Sequence, residues 1–248
     1  MSPRPATLFG LGVGPGDPEL LTLKALRLLR EVPVLAYPAP LEGESMARSI
    51  VAGFLEEGEG EGEGEGKGKR IELPLRMRFD ADRTSANRAY DLGARDIADH
   101  LRAGRDVAVL CEGDPFLYGS FIYLFGRLSG RFPIEVVPGV SSVLACSAAL
   151  GAPLSALDDR VAVIPATRAE DEIERLMDSV DSAAILKAGR HLEKIARVLE
   201  RLGLLDKARY IERAGLPGQR IRPLAEARAE GGPYFSMVLV HRRGEAWR

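Results

Sequence analysis

The sequence predicts an α/β fold, because short apolar runs typical of strands alternate along the chain with segments whose apolar residues recur at helical spacing. The run at residues 106–111, DVAVLC, is typical of a central parallel strand. With 248 residues, of which 46% are hydrophobic, the chain can bury a sizeable core and form one large domain or two small ones.

In the first half of the chain, the pattern predicts strands in ATLFGLG, PVLAYP, RIELPL, DVAVLC and IEVVPGV. A helix is predicted over residues 18–32, with Asp17 as its N-cap, and a second over residues 84–103. Two further helices are expected in FLYGSFIYLFGRL and in SSVLACSAALG, the latter closed by Gly151. The apolar residues at helical spacing in the first helix are Leu20, Leu21, Leu23, Leu26, Leu28 and Leu29. The inner face of the second is predicted to carry Ala86, Ala89, Leu92, Ile97 and Leu101.

The second half is predicted to contain strands in RVAVIPA, SAAILKAG, ARYIERAG and YFSMVLVHRR, the last of which follows a Gly-Gly-Pro turn. Its amphipathic helices are predicted at residues 169–179 and 191–203. Gly130 and Pro133 interrupt regular secondary structure between the two halves. We therefore predict two domains, at residues 1–132 and 133–248.

Charge and cysteine content narrow the class of protein. A net charge of −2 and a pI of about 6.0 give no basic balance for a nucleic-acid partner, and no apolar run is long enough for a membrane span. The opening residues, MSPRPATLFG, do not form a secretory signal. Cys111 and Cys146 lie in apolar stretches and are expected to be small core residues, which fits a reducing cytoplasm.

Residues 56–70, EEGEGEGEGEGKGKR, form a low-complexity segment. Alternating glutamate and glycine cannot bury an apolar face, and glycine maximises the entropy cost of ordering. We expect a disordered surface loop between a helix that ends near Leu55 and the strand RIELPL. Calcium binding is the alternative, but the acids lack the spacing of calcium ligands, so no metal site is predicted.

Three glycine-containing turns follow predicted strands. The first, GLGVGPGD, fails the G-x-G-x-x-G fingerprint of dinucleotide-binding folds, because Pro15 or Asp17 stands where the last glycine is required. In the second, CEGDP, an acid stands on either side of Gly113, and the third is VPGVSS. Turns at the carboxyl ends of parallel strands can form a ligand crevice. Tight turns, and helix capping by Asp114 and the serines, explain the same residues.

The stretches GLGVGPGDPELLTLKAL, CEGDPFLYGS and PGVSS, in this order and separation, resemble the tetrapyrrole methylases of cobalamin and sirohaem synthesis over essentially the whole chain. VAVIPAT and ILKAGR further resemble the members that methylate C20 of precorrin-2 or of its cobalt-bearing counterpart, cobalt-factor II. The Glu-Gly segment departs from the family pattern. The resemblance implies two α/β domains, not Rossmann-like, with S-adenosylmethionine in a cleft between them. It also implies a homodimer that acts on a small-molecule tetrapyrrole, and the cysteines favour a cytoplasmic location.

The resemblance further implies which residues bind the cofactor, many of them through backbone atoms. They are Pro15, Glu112, Gly113, Asp114, Leu117, Tyr118, Ser141, Ser142, Lys187, Ala188 and Ala214. A precorrin carries many carboxylates, so cations are expected where it binds. The candidates are Arg168, Lys187 and Arg190, with Tyr37 and Tyr118 against the edge of the macrocycle. Solvated charge and core packing are the alternative interpretations of these side chains.

The reaction implied is transfer of a methyl group from S-adenosylmethionine to C20 of precorrin-2 or cobalt-factor II, with S-adenosylhomocysteine as the second product. The alternatives are a methylase for another position, on uroporphyrinogen III or a later precorrin, and a diphthamide-type protein methylase. The residues identify no catalytic proton acceptor. His100, His191 and His241 stand in polar contexts typical of the surface, and no Ser-His-Asp or Cys-His arrangement is recognisable.

Overall fold

The computed structural model describes residues 4–56, 70–78 and 83–244. The chain divides into two compact units between Ser141 and Ser142, and each unit is built on a five-stranded sheet. The predicted boundary, after residue 132, comes too early for this division, because the strand at Ile134–Val137 pairs with the first strand and so belongs to the first unit. Residues 57–69, in the predicted Glu-Gly loop, lie outside the described residues.

The sheet of the first unit is parallel throughout, with strand order β3-β2-β4-β1-β5. Its strands are β1 (Leu8–Gly12), β2 (Val34–Pro40), β3 (Ile71–Met77), β4 (Val107–Cys111) and β5 (Ile134–Val137). Its helices are α1 (Leu23–Glu31), α2 (Met46–Ile50), α3 (Ala52–Glu56), α4 (Arg83–Arg102) and α5 (Phe121–Leu128). Strand β4 is buried along its whole length between β2 and β1, which confirms the prediction from its apolar run.

Helix α1 begins later than predicted. The Asp17 side chain accepts a hydrogen bond from the Glu19 N–H (2.9 Å), but it caps only a short 3-10 turn at Pro18–Leu20. The helix then starts anew after Thr22, whose hydroxyl accepts a hydrogen bond from the Ala25 N–H at 3.2 Å. This restart changes the helical phase. Leu23, one of the apolar residues at helical spacing, is consequently 85% exposed and lies outside the buried face of α1.

Helices α4 and α5 pack on the same face of the first sheet. The buried side of α4 carries Tyr90, Ala94, Ile97, Ala98 and Leu101. Leu92, which was predicted on that side, is 52% exposed and was placed wrongly. Helix α5 begins at Phe121 rather than at Phe116, because residues 115–119 form a tight turn in which Gly119 packs against the backbone of Asp114 and Pro115.

The sheet of the second unit is mixed, with strand order β6-β7-β10-β8-β9 and parallel pairing between β6 and β7 alone. Its strands are β6 (Val161–Pro165), β7 (Ser182–Leu186), β8 (Ala208–Glu212), β9 (Arg220–Pro223) and β10 (Ser236–His241). Its helices are α6 (Ser142–Leu150), α7 (Glu170–Asp178), α8 (Leu192–Arg201) and α9 (Leu224–Ala227). The sequence did not predict β9 and α9, because the exposed edge strand is mostly polar.

Both cysteines are buried and unpaired, as predicted. The prediction that His241 is a surface residue is wrong. His241 is only 6% exposed, and its Nε2 lies 3.2 Å from Oδ2 of Asp159 in the loop before β6. Its Nδ1 accepts a hydrogen bond from the Arg243 N–H (3.2 Å), so both ring nitrogens are engaged within the second unit. Among the described residues, no helix combines the length and apolar character that a membrane span requires.

Candidate functional site

The three predicted turns lie together at the carboxyl edge of the first sheet, because β4, β1 and β5 are adjacent and parallel. The Gly113 N–H donates to the Gly14 carbonyl (2.7 Å), which joins the turn after β4 to the turn after β1. The Gly139 N–H donates to Oδ2 of Asp114 (3.1 Å), which joins the turn after β5 to the same place. The predicted convergence of the three turns is therefore confirmed.

Glycine is required here because the turns touch each other through their backbones. A Cβ on Gly139 would collide with the Gly113 carbonyl oxygen, and one on Gly12 would collide with the Gly139 nitrogen. A Cβ on Gly10 would lie 2.6 Å from the Phe121 ring at the start of α5. These three glycines thus serve the close approach of neighbouring elements. Packing of neighbouring elements therefore accounts for Gly10 and Gly12 in the motif GLGVGPGD without a dinucleotide fingerprint.

The Asp114 carboxylate organises the turn after β4. Its Oδ1 accepts hydrogen bonds from the N–H groups of Phe116 (2.9 Å) and Leu117 (3.2 Å), while its Oδ2 accepts from Gly139. The capping role considered from the sequence is therefore present, in a turn rather than in a helix. Leu117 and Tyr118 are held in an exposed position by this arrangement, at 40% and 50% exposure.

Glu112 is a largely buried acid at the same sheet edge. Burial raises the pKa of its carboxyl group, and the backbone N–H groups of Ala47 and of Glu112 itself offset only part of that effect. An acid that costs free energy to ionise, at the end of a central strand, is a candidate ligand-binding group. Its carboxylate is suited to accept hydrogen bonds from hydroxyl groups or to pair with an ammonium group.

Apart from Ser142, the first residue of α6, the cofactor candidates of the second unit lie in two turns that the loop before β10 joins. Lys187 and Ala188 follow β7, and the Ala188 N–H faces the Ser236 carbonyl at 3.5 Å. Ala214 follows β8, where the Arg213 N–H donates to the Phe235 carbonyl at 2.8 Å. The sequence analysis did not place residues 231–235 beside these turns. The signal for it was GGPYF, in which two aromatic residues stand next to a glycine-rich turn.

Unusual backbone conformations mark the same turns. Four described residues other than glycine have left-handed φ angles, and three of them are Tyr118 (58°), Lys187 (58°) and Arg213 (51°). The fourth, Leu157, lies in the loop before β6. Such conformations cost side-chain-bearing residues free energy and concentrate at ligand sites. Two of the three are predicted cofactor contacts, and Arg213 directly precedes another.

The predicted substrate contacts differ in how accessible they are. Arg168 lies in the turn after β6, 59% exposed, with Nη1 3.5 Å from Oε1 of Glu172. Arg190 is exposed in a 3-10 turn at Gly189–His191. Tyr37 is only 8% exposed and its hydroxyl donates to Glu72 (2.5 Å). Burial and this acid raise the pKa of Tyr37 to about 12. Its ring belongs to the core, which corrects the expectation that it packs on a macrocycle.

Comparison with known proteins identifies the fold and the family. The family model of the Tetrapyrrole (Corrin/Porphyrin) Methylases matches residues 7–228. The chain belongs to this family. Within the described residues, no group of three or more histidine, cysteine, aspartate or glutamate side chains is arranged to hold a metal ion.

Two curated relatives and one solved structure are similar along almost the entire chain. The precorrin-2 C(20)-methyltransferase of Sinorhizobium sp is 42% identical over 94% of both chains. The cobalt-precorrin-2 C(20)-methyltransferase of Salmonella typhimurium is 31% identical over 96% of this chain and 97% of its own. Uroporphyrin-III C-methyl transferase from Thermus thermophilus, complexed with S-adenyl homocysteine, is 25% identical with a TM-score of 0.65 and covers 95% of this chain and 92% of its own. The predicted family, α/β fold and methyltransferase class are confirmed.

Proposed function

We propose that this methylase transfers a methyl group from S-adenosylmethionine to C20 of precorrin-2 in cobalamin biosynthesis, with the cobalt-bearing form of that substrate as the alternative. The observation that carries the proposal is the 42% identity with a precorrin-2 C(20)-methyltransferase over 94% of both chains. Identity with the cobalt-precorrin-2 enzyme is lower, at 31%, which favours the metal-free substrate.

The residues at the carboxyl edge of the first sheet fit the cofactor. S-adenosylmethionine supplies a methyl group bonded to a positively charged sulfur, together with ribose hydroxyls, an ammonium group and a carboxylate. The Glu112 carboxylate would accept hydrogen bonds from the hydroxyls or the ammonium group. The remaining contacts proposed in this unit are Pro15, Gly113, Asp114, Leu117, Tyr118 and Ser141.

The contacts proposed in the second unit are Ser142, Lys187, Ala188 and Ala214. Ala188 is completely buried and Ala214 is 9% exposed. Neither side chain has a polar atom, so both residues would bind through backbone groups. The strained backbone at Lys187 and at Arg213 fixes the direction of the adjoining peptide groups, which suits this manner of binding.

The chain's contribution to the reaction is orientation. Methyl transfer to carbon requires an electron-rich carbon in line with the bond that breaks, and correct alignment of two reactants contributes up to roughly 7–11 kcal/mol to rate enhancement. Arg168, Lys187 and Arg190 would fix the tetrapyrrole by pairing with its carboxylates. Removing the nucleophilic carbon from water is the second task, and it requires apolar surface around that carbon.

We also propose that the protein is a cytoplasmic homodimer; the homodimer is what the family resemblance implies. Two cysteines that are buried and unpaired fit a reducing compartment. Light scattering on the purified protein measures the mass directly. A dimer has twice the chain mass of 26.9 kDa, and a mass of one chain contradicts the homodimer.

The decisive experiment is an anaerobic incubation of the purified protein with S-adenosylmethionine and, in parallel, precorrin-2 and its cobalt-bearing form. Mass spectrometry is expected to detect one added methyl group on precorrin-2, and NMR to assign it to C20. A product from the cobalt form alone would change the substrate. Cofactor binding without methylation of either compound would rule out both compounds as substrates. Methylation at another ring position of a different tetrapyrrole would then be tested.

A further inference from the structure

The loop before β10 carries two aromatic side chains that the second unit leaves in solvent. Tyr234 is 67% exposed and Phe235 is 38% exposed, and their rings meet edge to face with centroids 5.3 Å apart. The remaining aromatic side chain among the described residues of this unit, Tyr210, is completely buried. A pair of exposed rings next to candidate ligand contacts requires an explanation, since apolar surface of this kind is usually covered.

The exposure is not the result of a loosely held segment. The Gly232 N–H donates to the Gly189 carbonyl (3.0 Å), and the Ser236 hydroxyl donates to the Pro233 carbonyl (2.8 Å). A Cβ on Gly232 would collide with the Tyr210 hydroxyl, and one on Gly189 would collide with the Pro233 carbonyl. The loop therefore packs closely on the turn after β7, and its two rings are presented from a fixed base.

Cations lie in the two turns that this loop contacts. The Phe235 carbonyl accepts a hydrogen bond from the Arg213 N–H, and Ser236 faces the turn at residues 187–190. Arg213 and Arg190 are both exposed. Rings and guanidinium groups are thus carried by loops that are directly hydrogen-bonded to one another.

We propose that Tyr234 and Phe235 form the surface on which the tetrapyrrole docks, while Arg190 and Arg213 pair with its carboxylates. The inference rests on the proposed function and adds specificity-determining residues to it. A conjugated macrocycle presents an extended π-surface and a rim of carboxylates, and the combination of exposed rings and cations complements both. The adenine of the cofactor could stack on the rings, but the cofactor carries a single carboxylate for two arginines, so it fits this surface less well.

The test is steady-state kinetics of the full-length protein with precorrin-2 as the varied substrate. The double variant Tyr234→Ala/Phe235→Ala is expected to raise KM for the tetrapyrrole about tenfold, in keeping with the loss of stacking on aromatic rings. The dissociation constant of S-adenosylmethionine, measured by calorimetry, and the melting temperature are expected to stay at wild-type values. The exchange Tyr234→Phe/Phe235→Tyr keeps both rings and is expected to keep KM.

Two further variants keep the proposal falsifiable. Ile221→Ala removes a 51% exposed apolar side chain from β9 of the same unit and is expected to leave KM unchanged. Arg190→Gln is expected to raise KM severalfold and to weaken its dependence on salt. This variant remains informative if the double variant fails to fold.

Three results would overturn the docking surface even if the wild-type protein methylates the tetrapyrrole. The first is an unchanged KM in both the double ring variant and Arg190→Gln. The others are found in the double ring variant: weaker cofactor binding with an unchanged KM, or a loss of the dimer with an unchanged KM. A wild-type protein that methylates no tetrapyrrole contradicts the proposed function itself, and the docking surface with it.

Discussion

The candidate turns of the two units combine close glycine contacts with left-handed residues in different proportions. At the carboxyl edge of the first sheet, glycines at positions 12, 113 and 139 let three turns touch through their backbones, and Asp114 ties two of them together. In the second unit, Gly189 and Gly232 make similar close contacts. Its turns also hold Lys187 and Arg213 in left-handed conformations that glycine would adopt without strain, whereas Tyr118 is the one such residue in the described turns of the first unit. Close glycine contacts are visible in a sequence as a glycine motif, whereas left-handed conformations of other residues leave no such motif.

The largest effect is expected from Gly139→Ala, because its Cβ would collide with the Gly113 carbonyl and three turns would have to move apart. We expect a loss of about 3 kcal/mol in the free energy of unfolding, measured with urea. Gly126→Ala in α5 is the control, since a Cβ there meets no atom within 4 Å. It should stabilise the protein by about 0.5–1 kcal/mol, because alanine favours a helix. Equal stabilities of the two variants would refute the close contact of the turns.

The next largest effect is expected from Asp114→Ala, which deprives three backbone N–H groups of their acceptor. A loss of about 2 kcal/mol in unfolding free energy should accompany weaker binding of S-adenosylmethionine in calorimetry. The exposed Asp158, replaced by alanine, serves as the control. Unchanged cofactor affinity in Asp114→Ala would remove this residue from the cofactor site and leave it a role in the turn alone.

The sequence could predict part of the fold and of the candidate site. Convergence of the first unit's turns followed from buried parallel strands, whose carboxyl ends meet at one edge. The restart of α1 after Thr22 did not follow, because Asp17 with Pro18 and Thr22 both offer a good helix start, and the first of them caps only a 3-10 turn. The role of residues 231–235 was equally hidden, since β10 pairs with both β7 and β8 and only that topology brings the loop to their turns.

Burial of Glu112 gives a prediction in which stability and binding change in opposite directions. Because its pKa is raised in the folded protein, the stabilisation it contributes is present below its ordinary pKa of 4.5 and is lost as the pH rises through the folded value. Glu112→Gln is therefore expected to gain stability relative to the wild type as the pH increases from 4 to 8. The same variant should bind S-adenosylmethionine about tenfold more weakly, through loss of a charged acceptor.

Urea unfolding across this pH range, with calorimetry at neutral pH, measures both quantities. Glu226→Gln on the exposed surface of α9 is the control and should change neither. A Glu112→Gln variant that binds the cofactor normally would show that the acid is not a ligand contact. It would also leave the cost of burying the acid without a functional reason.

The smallest effect is expected where the second unit uses an ordinary residue in a left-handed conformation. Lys187→Gly relieves the strain at φ 58° but makes the unfolded chain more flexible, and the two contributions oppose each other. We expect its unfolding free energy to lie within about 0.5 kcal/mol of the wild type. Arg190→Gly, three residues further on and without a left-handed φ, gains no such relief and should lose about 1 kcal/mol. Equal losses in both variants would mean that Lys187 is not strained, and would remove this difference between the turns of the two units.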